Sequence, residues 1–536
     1  QTAGMTADTD DDGDGVLDTA DGFPLDPDVH TAPVATANNF SLNLLPVSQT
    51  QGFASLTGTA QDSRSLTFSI VSSANQGVVT ITDANTGAFN YETFVGVKDA
   101  VTDLFTFKVN DGFVDSEPST VTLGLRTDPL YKHQWHLDNT AQLNFASSAG
   151  SFAEDINVDS VIGQGYTGAG VIIAVLDSGL EIGHEDLATN VVVGGSHNFL
   201  NGSTDPTTTA LGGDHGTSVA GLAASRGWND IGGRGVAPFA SLKGFNILEV
   251  QSLSNFIAAL GGQTFSSDVA IFNQSYGTSN TDDFAVNSFI KQQYQSGVTS
   301  LRDGKGAIYV KSAGNGFGRF GAASCSAANT IGISCQNTSM DTFNALPQNI
   351  TVGALGANGQ RASYSTAGSA IWVSAPGGEF GLDTNFIAFS NDAPAMMTTD
   401  QSGCSQGYVR SSVANPRNAF QDARSSTHAE NLDCNYTSTF NGTSSAAPVL
   451  SGAIALILEA NPVLTWRDVK HILASTSTQV DASIAPLSVA LGDGNYIAEP
   501  AYTTNAAGFT FHNWYGFGRV DVSAAVSMAK TMTPDN

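Results

Sequence analysis

Four segments constrain the fold more tightly than anything else in the chain: V-I-I-A-V-L (171–176), D-V-A-I-F-N-Q-S-Y (268–276), G-A-I-Y-V-K-S-A-G-N (306–315) and N-I-T-V-G-A-L (349–355). Each is apolar at successive rather than alternate positions, so both of its faces must be buried, and each ends in small or polar residues. Strands of this kind belong to a parallel sheet covered by helices, with reactive groups at the strands' carboxyl ends. Helical patterns fill the intervals, which predicts an α/β domain over 127–530 and leaves 531–536 as a tail.

Two stretches precede that domain. The run T-A-D-T-D-D-D-G-D-G-V-L-D-T-A-D-G-F-P-L-D-P-D, within a first segment 1–31, sets carboxylates at alternate positions. Asp10, Asp12 and Asp14, the Val16 carbonyl, Asp18 and Asp21 fall where a loop wraps oxygen ligands around Ca²⁺, with Gly15 at the turn. The segment resembles the thrombospondin type 3 calcium repeats of bacterial secreted proteins. From 32 to 126 the pattern changes to short alternating strands between Gly, Asn and Asp turns, among them S-L-T-F-S-I-V, G-V-V-T-I-T and D-L-F-T-F-K-V-N-D-G-F. This predicts a small all-β sandwich, and the run 87–123 resembles the bacterial cadherin-like or Ig-like repeat, a spacer or adhesion module.

Acids outnumber bases 49 to 21, for a net charge of -28. Such a chain repels phosphate polyanions, which argues against nucleic acid as a partner. It suits either a solvating surface for salty or cold water or the binding of divalent cations and basic substrates. No apolar run is read as long enough to span a bilayer. No basic and then apolar leader opens the chain, so Gln1 is expected to follow a removed signal peptide. The four cysteines, Cys325, Cys335, Cys404 and Cys434, form two local pairs without the C-x-x-C spacing of a zinc site. They predict disulfides Cys325–Cys335 and Cys404–Cys434, hence a secreted, extracellular location.

Three short motifs carry chemistry. Asp177 follows the strand V-I-I-A-V-L in L-D-S-G, where a carboxylate can be buried and still hydrogen-bond an imidazole. His215 stands in G-D-H-G-T-S-V-A-G, whose small residues let a helix pack close to the sheet. Ser444 stands in N-G-T-S-S-A-A-P-V-L-S-G at the mouth of an apolar helix, and its hydroxyl needs the general base that His215 can supply. Alone, each motif is modest, since an Asp after a strand is often a cap and a G-T-S often a helix start. Together, in the order Asp, His, Ser, they resemble the subtilase family, a likeness covering Asp128 to Lys530. It implies a subtilisin-like fold and a serine endopeptidase acting on protein and peptide substrates. An α/β-hydrolase esterase would need G-x-S-x-G and the order Ser, Asp, His. A non-catalytic, calcium-stiffened adhesion module is the alternative that the amino-terminal segments suggest.

The resemblance also implies roles for further residues. Asn315, in K-S-A-G-N-G, matches the side-chain amide of the oxyanion hole, and Ser275, Tyr276 and Gly277, in N-Q-S-Y-G, match the strand that pairs with substrate beside the S1 pocket. The segments 134–139, 303–310, 458–469 and 515–521 are similar to the kexin and furin branch. That branch implies a preference for Arg or Lys at P1, the residue before the cut. Glu379, Asp282 and Asp341 are the candidate S1 acids, with Asp214 near S2. Ser178 replaces the second Asp of the kexin pattern, so the demand for a basic P2 is expected to be weaker. For Ca²⁺, the resemblance implies a site formed by Asp155, Asp186, the Asn229 side chain and the carbonyls of Arg226, Ile231 and Gly233. No segment resembles the usual subtilase propeptide, so a propeptide already removed or a separate chaperone is expected to assist folding.

Overall fold

The computed structural model describes residues 11, 25, 32–43, 50–53, 55–60, 64–94, 102–211, 215–278, 286–320, 323–387, 392–492 and 494–534. The chain divides into two compact units, Gln1–Thr127 and Asp128–Asn536. The calcium ligands expected in the acidic segment, Asp10, Asp12, Asp14, Val16, Asp18 and Asp21, lie outside the described residues.

The first unit holds a four-stranded and a three-stranded sheet. The four-stranded sheet runs Asn38–Asn43, Ser119–Arg126, Thr102–Asn110, Thr67–Ser72, with the first pair parallel and the others antiparallel. The other joins Thr50–Phe53, Ala88–Thr93 and Gly77–Asp83. Phe89, Tyr91, Phe105, Phe107, Val121 and Leu123 form the shared core. Alternation along Thr102–Asn110 puts Asp103 inside and Leu104 outside. The buried carboxylate is tolerated because it accepts hydrogen bonds from the amides of Asn75 and Gln76 (2.9 and 2.8 Å) and from the Tyr91 hydroxyl (2.7 Å).

In the second unit all four segments read as doubly buried strands enter one parallel sheet. Its strands are β1 (Ile172–Leu176), β2 (Ser241–Phe245), β3 (Ile271–Gln274), β4 (Ile308–Ser312), β5 (Asn349–Leu355) and β6 (Ile371–Pro376), in the spatial order β2-β1-β3-β4-β5-β6. Every pairing is parallel. β1 has β2 on one side and β3 on the other, so the strand order reverses at β1 and a crevice opens at the carboxyl ends there.

Two helices matter for that crevice. α1 (His215–Ala224) and α2 (Thr443–Ala460) pack on each other, and α2 also lies against β3, β4, β5 and β6. By length and composition α2 could cross a bilayer, contrary to the sequence reading, but 89% of it is buried within the domain. It is apolar because it is the central core helix, with Ala, Gly and Ser letting the sheet approach closely. Disulfides join Cys325 to Cys335 and Cys404 to Cys434, the pairs the sequence predicts.

All five tryptophans, at 135, 228, 372, 466 and 514, lie in this unit, so tryptophan emission follows its unfolding alone. Ile454→Ala, at a fully buried α2 position, should lower the stability read from that emission by about 2–5 kcal/mol in urea titration. A loss below about 1 kcal/mol would show that α2 is not the packing centre.

Candidate active site

β1 delivers Asp177. Its amide donates to the Phe245 carbonyl of β2 (3.0 Å), extending the ladder one residue, and the carboxylate is 1% exposed. A buried charge needs partners. The Ser178 amide donates to Oδ1 (2.7 Å), and His215 Nδ1 stands 2.9 Å from both carboxylate oxygens.

His215 reaches Asp177 because the residue after it has no side chain. A Cβ on Gly216 would lie 1.8 Å from the Gly179 carbonyl oxygen and 2.9 Å from the Asp177 Cβ. The mouth of α1 thus seats directly on the turn that leaves β1. Every other residue of α1 is buried, while the His215 side chain is 31% exposed. The Phe440 ring packs beside the imidazole, with centroids 5.2 Å apart.

Ser444 is presented in the same way. The turn into α2 needs Gly442 at φ 108, a conformation that L side chains rarely adopt. Thr443 and Ser445 are buried and Ser444 is partly exposed. Ser444 Oγ donates to the Ser275 carbonyl (3.1 Å), and Ser275 Oγ donates back to the Ser444 carbonyl (2.9 Å). That second bond exists because the residue one turn on is Pro448, which has no N–H for the Ser444 carbonyl. The stretch Ser275–Gly277 beyond β3 is thereby tied to the mouth of α2.

Asn315, after β4, is held by its oxygen: Oδ1 accepts from the Thr443 amide (2.9 Å) and hydroxyl (3.0 Å). Its Nδ2 lies on the Gly442 side, 3.1 Å from where a Cβ would stand. Of the first N–H groups of α2, that of Thr443 is taken by Asn315 Oδ1 and that of Ser445 by the Gly442 carbonyl (2.9 Å), while that of Ser444 has no carbonyl partner within its own helix. The arrangement offers a hydroxyl, an imidazole braced by a buried carboxylate, and amide donors, which is equipment for acyl transfer.

The candidate substrate acids are placed differently from one another. Asp341 lies beneath Gly277 and accepts from the Thr278 amide (3.2 Å), but Lys311 pairs with it at 3.1 Å and also donates to the Tyr276 carbonyl. Both partners are buried, so the Asp341 charge is already met within the protein. Glu379 accepts from the Ser363 amide (2.6 Å) and hydroxyl (2.8 Å). Asp214 and Asp282 lie outside the described residues.

The two carboxylates expected in one calcium site are not brought together. Asp155 caps its own turn, accepting from the amides of Asn139 (2.9 Å) and Asn157 (2.8 Å), and the charges that bear on it are Arg519 and Asp138. Asp186 stands against the loop 226–234: its carbonyl accepts from the Arg226 amide (2.8 Å) and its Oδ1 from Asn229 Nδ2 (2.7 Å). Asp186 Oδ2 is buried without a hydrogen-bond partner, and burial pushes its carboxyl well above the usual carboxylate range. The acids that bear on it are Asp128 and, after it, Glu185; Asp128 accepts from the Trp228 amide (2.6 Å) and pairs with Arg234 (2.7 Å). Burial raises its carboxyl to about 6. The sequence does not single out Asp128, because one Asp ahead of a strandless stretch is no stronger a signal than Asp155 in E-D-I-N-V. Among the described residues, no three His, Cys, Asp or Glu side chains gather as around a metal. The Asp186 loop instead combines carboxylate, amide and carbonyl oxygens, a donor set that suits Ca²⁺.

Residues 168–518 match the Subtilase family. The Aeromonas extracellular serine protease of Aeromonas sobria is 39% identical over 420 residues, covering 76% of this chain and 65% of that protein. Protease KEX1 of Kluyveromyces lactis is 32% identical over 409 residues, covering 76% of this chain and 43% of that protein. The chain thus spans less than two thirds of the length of either curated relative. A solved complex of the Aeromonas sobria serine protease with the chaperone ORF2 superposes with a TM-score of 0.69 at 37% identity, covering 77% of this chain and 68% of that one.

Gly216→Ala should force α1 off the β1 turn and separate His215 from Asp177. We expect a loss of about 2–4 kcal/mol in the tryptophan-monitored transition, with loss of the low-field proton NMR signal of the hydrogen-bonded imidazole. A stable variant that keeps that signal would refute the close-approach argument.

Proposed function

Because this chain belongs to the subtilase family, we propose that it is an exported serine endopeptidase that cuts peptide bonds with Ser444 as nucleophile, His215 as general base and acid, Asp177 as the group orienting His215, and Asn315 as an oxyanion donor. The observation that carries this reading is the 2.9 Å contact of His215 Nδ1 with both oxygens of buried Asp177, together with a serine left unburied at the mouth of α2, the helix that packs on α1. Asp177 fixes the imidazole tautomer with Nδ1 protonated, leaving Nε2 as the base. The Ser444 hydroxyl turns from the Ser275 carbonyl to Nε2, gives up its proton and attacks the scissile carbonyl. Asn315 Nδ2 and the Ser444 N–H meet the oxyanion, and each such donor contributes about 2.7–4 kcal/mol to the barrier reduction. His215 then protonates the leaving amine, and water hydrolyses the acyl-serine along the reverse path. Substrate extends along Ser275, Tyr276 and Gly277, pairing backbone to backbone.

Two disulfides fit an oxidising compartment, and the Aeromonas sobria relative is named extracellular. That relative is solved with a chaperone, so a separate chaperone is proposed for this chain as well. Calcium is proposed at the loop 226–234, held by Asp186, the Asn229 side chain and the carbonyls of Arg226, Ile231 and Gly233, with Asp128 as the second acid in place of Asp155. The orphaned Asp186 Oδ2 is the support for it. Bound there, the ion would supply countercharge and tie the loop down. A second calcium site is proposed at Asp10, Asp12, Asp14, Val16, Asp18 and Asp21.

Arg or Lys at P1 is proposed from Asp341 and Glu379. Broad P1 acceptance is the second reading, favoured by the Lys311–Asp341 pair, which leaves less negative charge for a substrate cation.

Three outcomes are expected. Ser444→Ala should lower kcat/KM on peptides by about 10³-fold or more, and adding His215→Ala should cost little further, because both residues serve one step. Turnover within tenfold of the parent would overturn the triad. Chelation should lower the tryptophan-monitored melting temperature, a loss of about 2.7 kcal/mol when free calcium had stood at about a hundred times its dissociation constant. Asp186→Asn should remove that sensitivity, and a parent indifferent to chelator after long dialysis would remove calcium from the account. On matched peptides, Arg or Lys at P1 should exceed Leu or Phe by about tenfold or more in kcat/KM. Equal rates would establish the broad reading.

A further inference from the structure

A cavity of about 290 Å³ opens beside His215, lined also by Phe440, Asn441, Tyr408, Gln421 and Arg417. It shares His215 with the candidate triad and Phe440 and Asn441 with the approach to Ser444, but none of Ser275, Tyr276 or Gly277, where the acyl side of a substrate would lie. The amine released by cleavage must take its proton from His215. A peptide that continues past the scissile bond over that ring would enter this cavity.

Arg417 is the unusual wall. The chain carries a net charge of -28, and Arg424 nearby is paired with Asp422 at 2.8 Å. Arg417, by contrast, has no carboxylate partner among the described residues; the group that bears on it is the Tyr408 phenol. Its backbone is rigidly set even though its side chain is exposed. Pro416 and Asn418 on either side are buried, and Asn418 Nδ2 donates to the Gly381 carbonyl (2.8 Å) and to Ser438 Oγ (3.1 Å). Gln421 is fixed by Thr437 Oγ1 (2.8 Å), the Arg417 carbonyl accepts from the Asp383 amide (2.9 Å), and the Cys404–Cys434 disulfide closes the loop. An arginine whose backbone is fixed, lining a part-enclosed cavity with aromatic and amide side chains, can present its guanidinium to a carboxylate.

We propose that Arg417 is a specificity residue on the leaving-group side, selecting a substrate carboxylate within the first two residues after the scissile bond. The inference rests on the peptidase reading above. The carboxylate can be an Asp or Glu side chain or the free terminus of a short product. Basic residues at these positions meet Arg417 as a like charge.

The test uses the full chain and amidated, internally quenched peptides that differ only in Ala, Glu or Lys at the first or second position after the cut. In the parent, kcat/KM for Glu should exceed that for Lys by roughly tenfold at one of the two positions. Arg417→Gln should bring that ratio to near one, and Arg417→Glu should reverse it. A parent ratio near one, or a ratio unchanged by Arg417→Glu, would overturn the proposal while leaving peptide hydrolysis in place. The same peptides are also offered as uncleaved ligands to Ser444→Ala and read by fluorescence anisotropy. If the parent cuts nothing, equal dissociation constants for Glu and Lys peptides overturn the proposal on their own. A Glu preference there sustains it independently of catalysis. A peptide ending as a free acid two residues after the cut, compared with its amide, distinguishes the two carboxylate sources. A gain in that arm assigns the terminal carboxylate, and a gain confined to Glu assigns the side chain.

Discussion

The candidate site depends on a backbone approach so close that one added carbon would prevent it. Gly216 stands against the Gly179 carbonyl with no room for a Cβ, and this lets the amino end of a buried helix rest on the turn leaving the first strand of the sheet. The distance between imidazole and carboxylate follows from that contact, because the two side chains are short and their backbones are fixed. The burial of Asp177 depends on it too, since the carboxylate exchanges water for the imidazole and the Ser178 amide. A charge left in that position without His215 would carry a penalty of several kcal/mol.

The second helix is governed by an equally local rule. Pro448 removes one intrahelical hydrogen bond, and the freed Ser444 carbonyl is taken by the Ser275 hydroxyl. A defect within the helix thereby becomes the joint between the serine and the strand proposed to receive substrate. Asn315 makes the third joint, its oxygen bound by Thr443 so that its nitrogen is the end left for a ligand. Each group is fixed by bonds to the backbone of another element, which is how a preorganised site avoids reorganisation during reaction.

Much of this was legible in the sequence. Doubly apolar strands announced a parallel sheet, and small residues around Asp177, His215 and Ser444 announced close packing at its carboxyl end. What could not be read was which distant charges would meet. Lys311 stands in a buried strand, where a lysine looks like an interruption, and only the folded chain reveals Asp341 as its partner. Asp155 and Asp128 look equivalent as isolated acids, yet one caps its own turn and the other faces the Asp186 loop. Arg417 lies in a loop without periodicity, so nothing in its local sequence shows that no carboxylate among the described residues pairs with it. Local backbone chemistry is written in neighbouring residues, whereas the pairing of charges is a property of topology.

The central claim is that Ser444 is a nucleophile activated by His215, and active-site labelling tests it most directly. A fluorophosphonate, added to the full chain and located by peptide mapping, should modify Ser444 in the parent. It should modify no serine in His215→Ala, whose tryptophan emission still reports a folded second unit. Labelling at a different serine, or undiminished labelling of Ser444 in His215→Ala, would contradict the account.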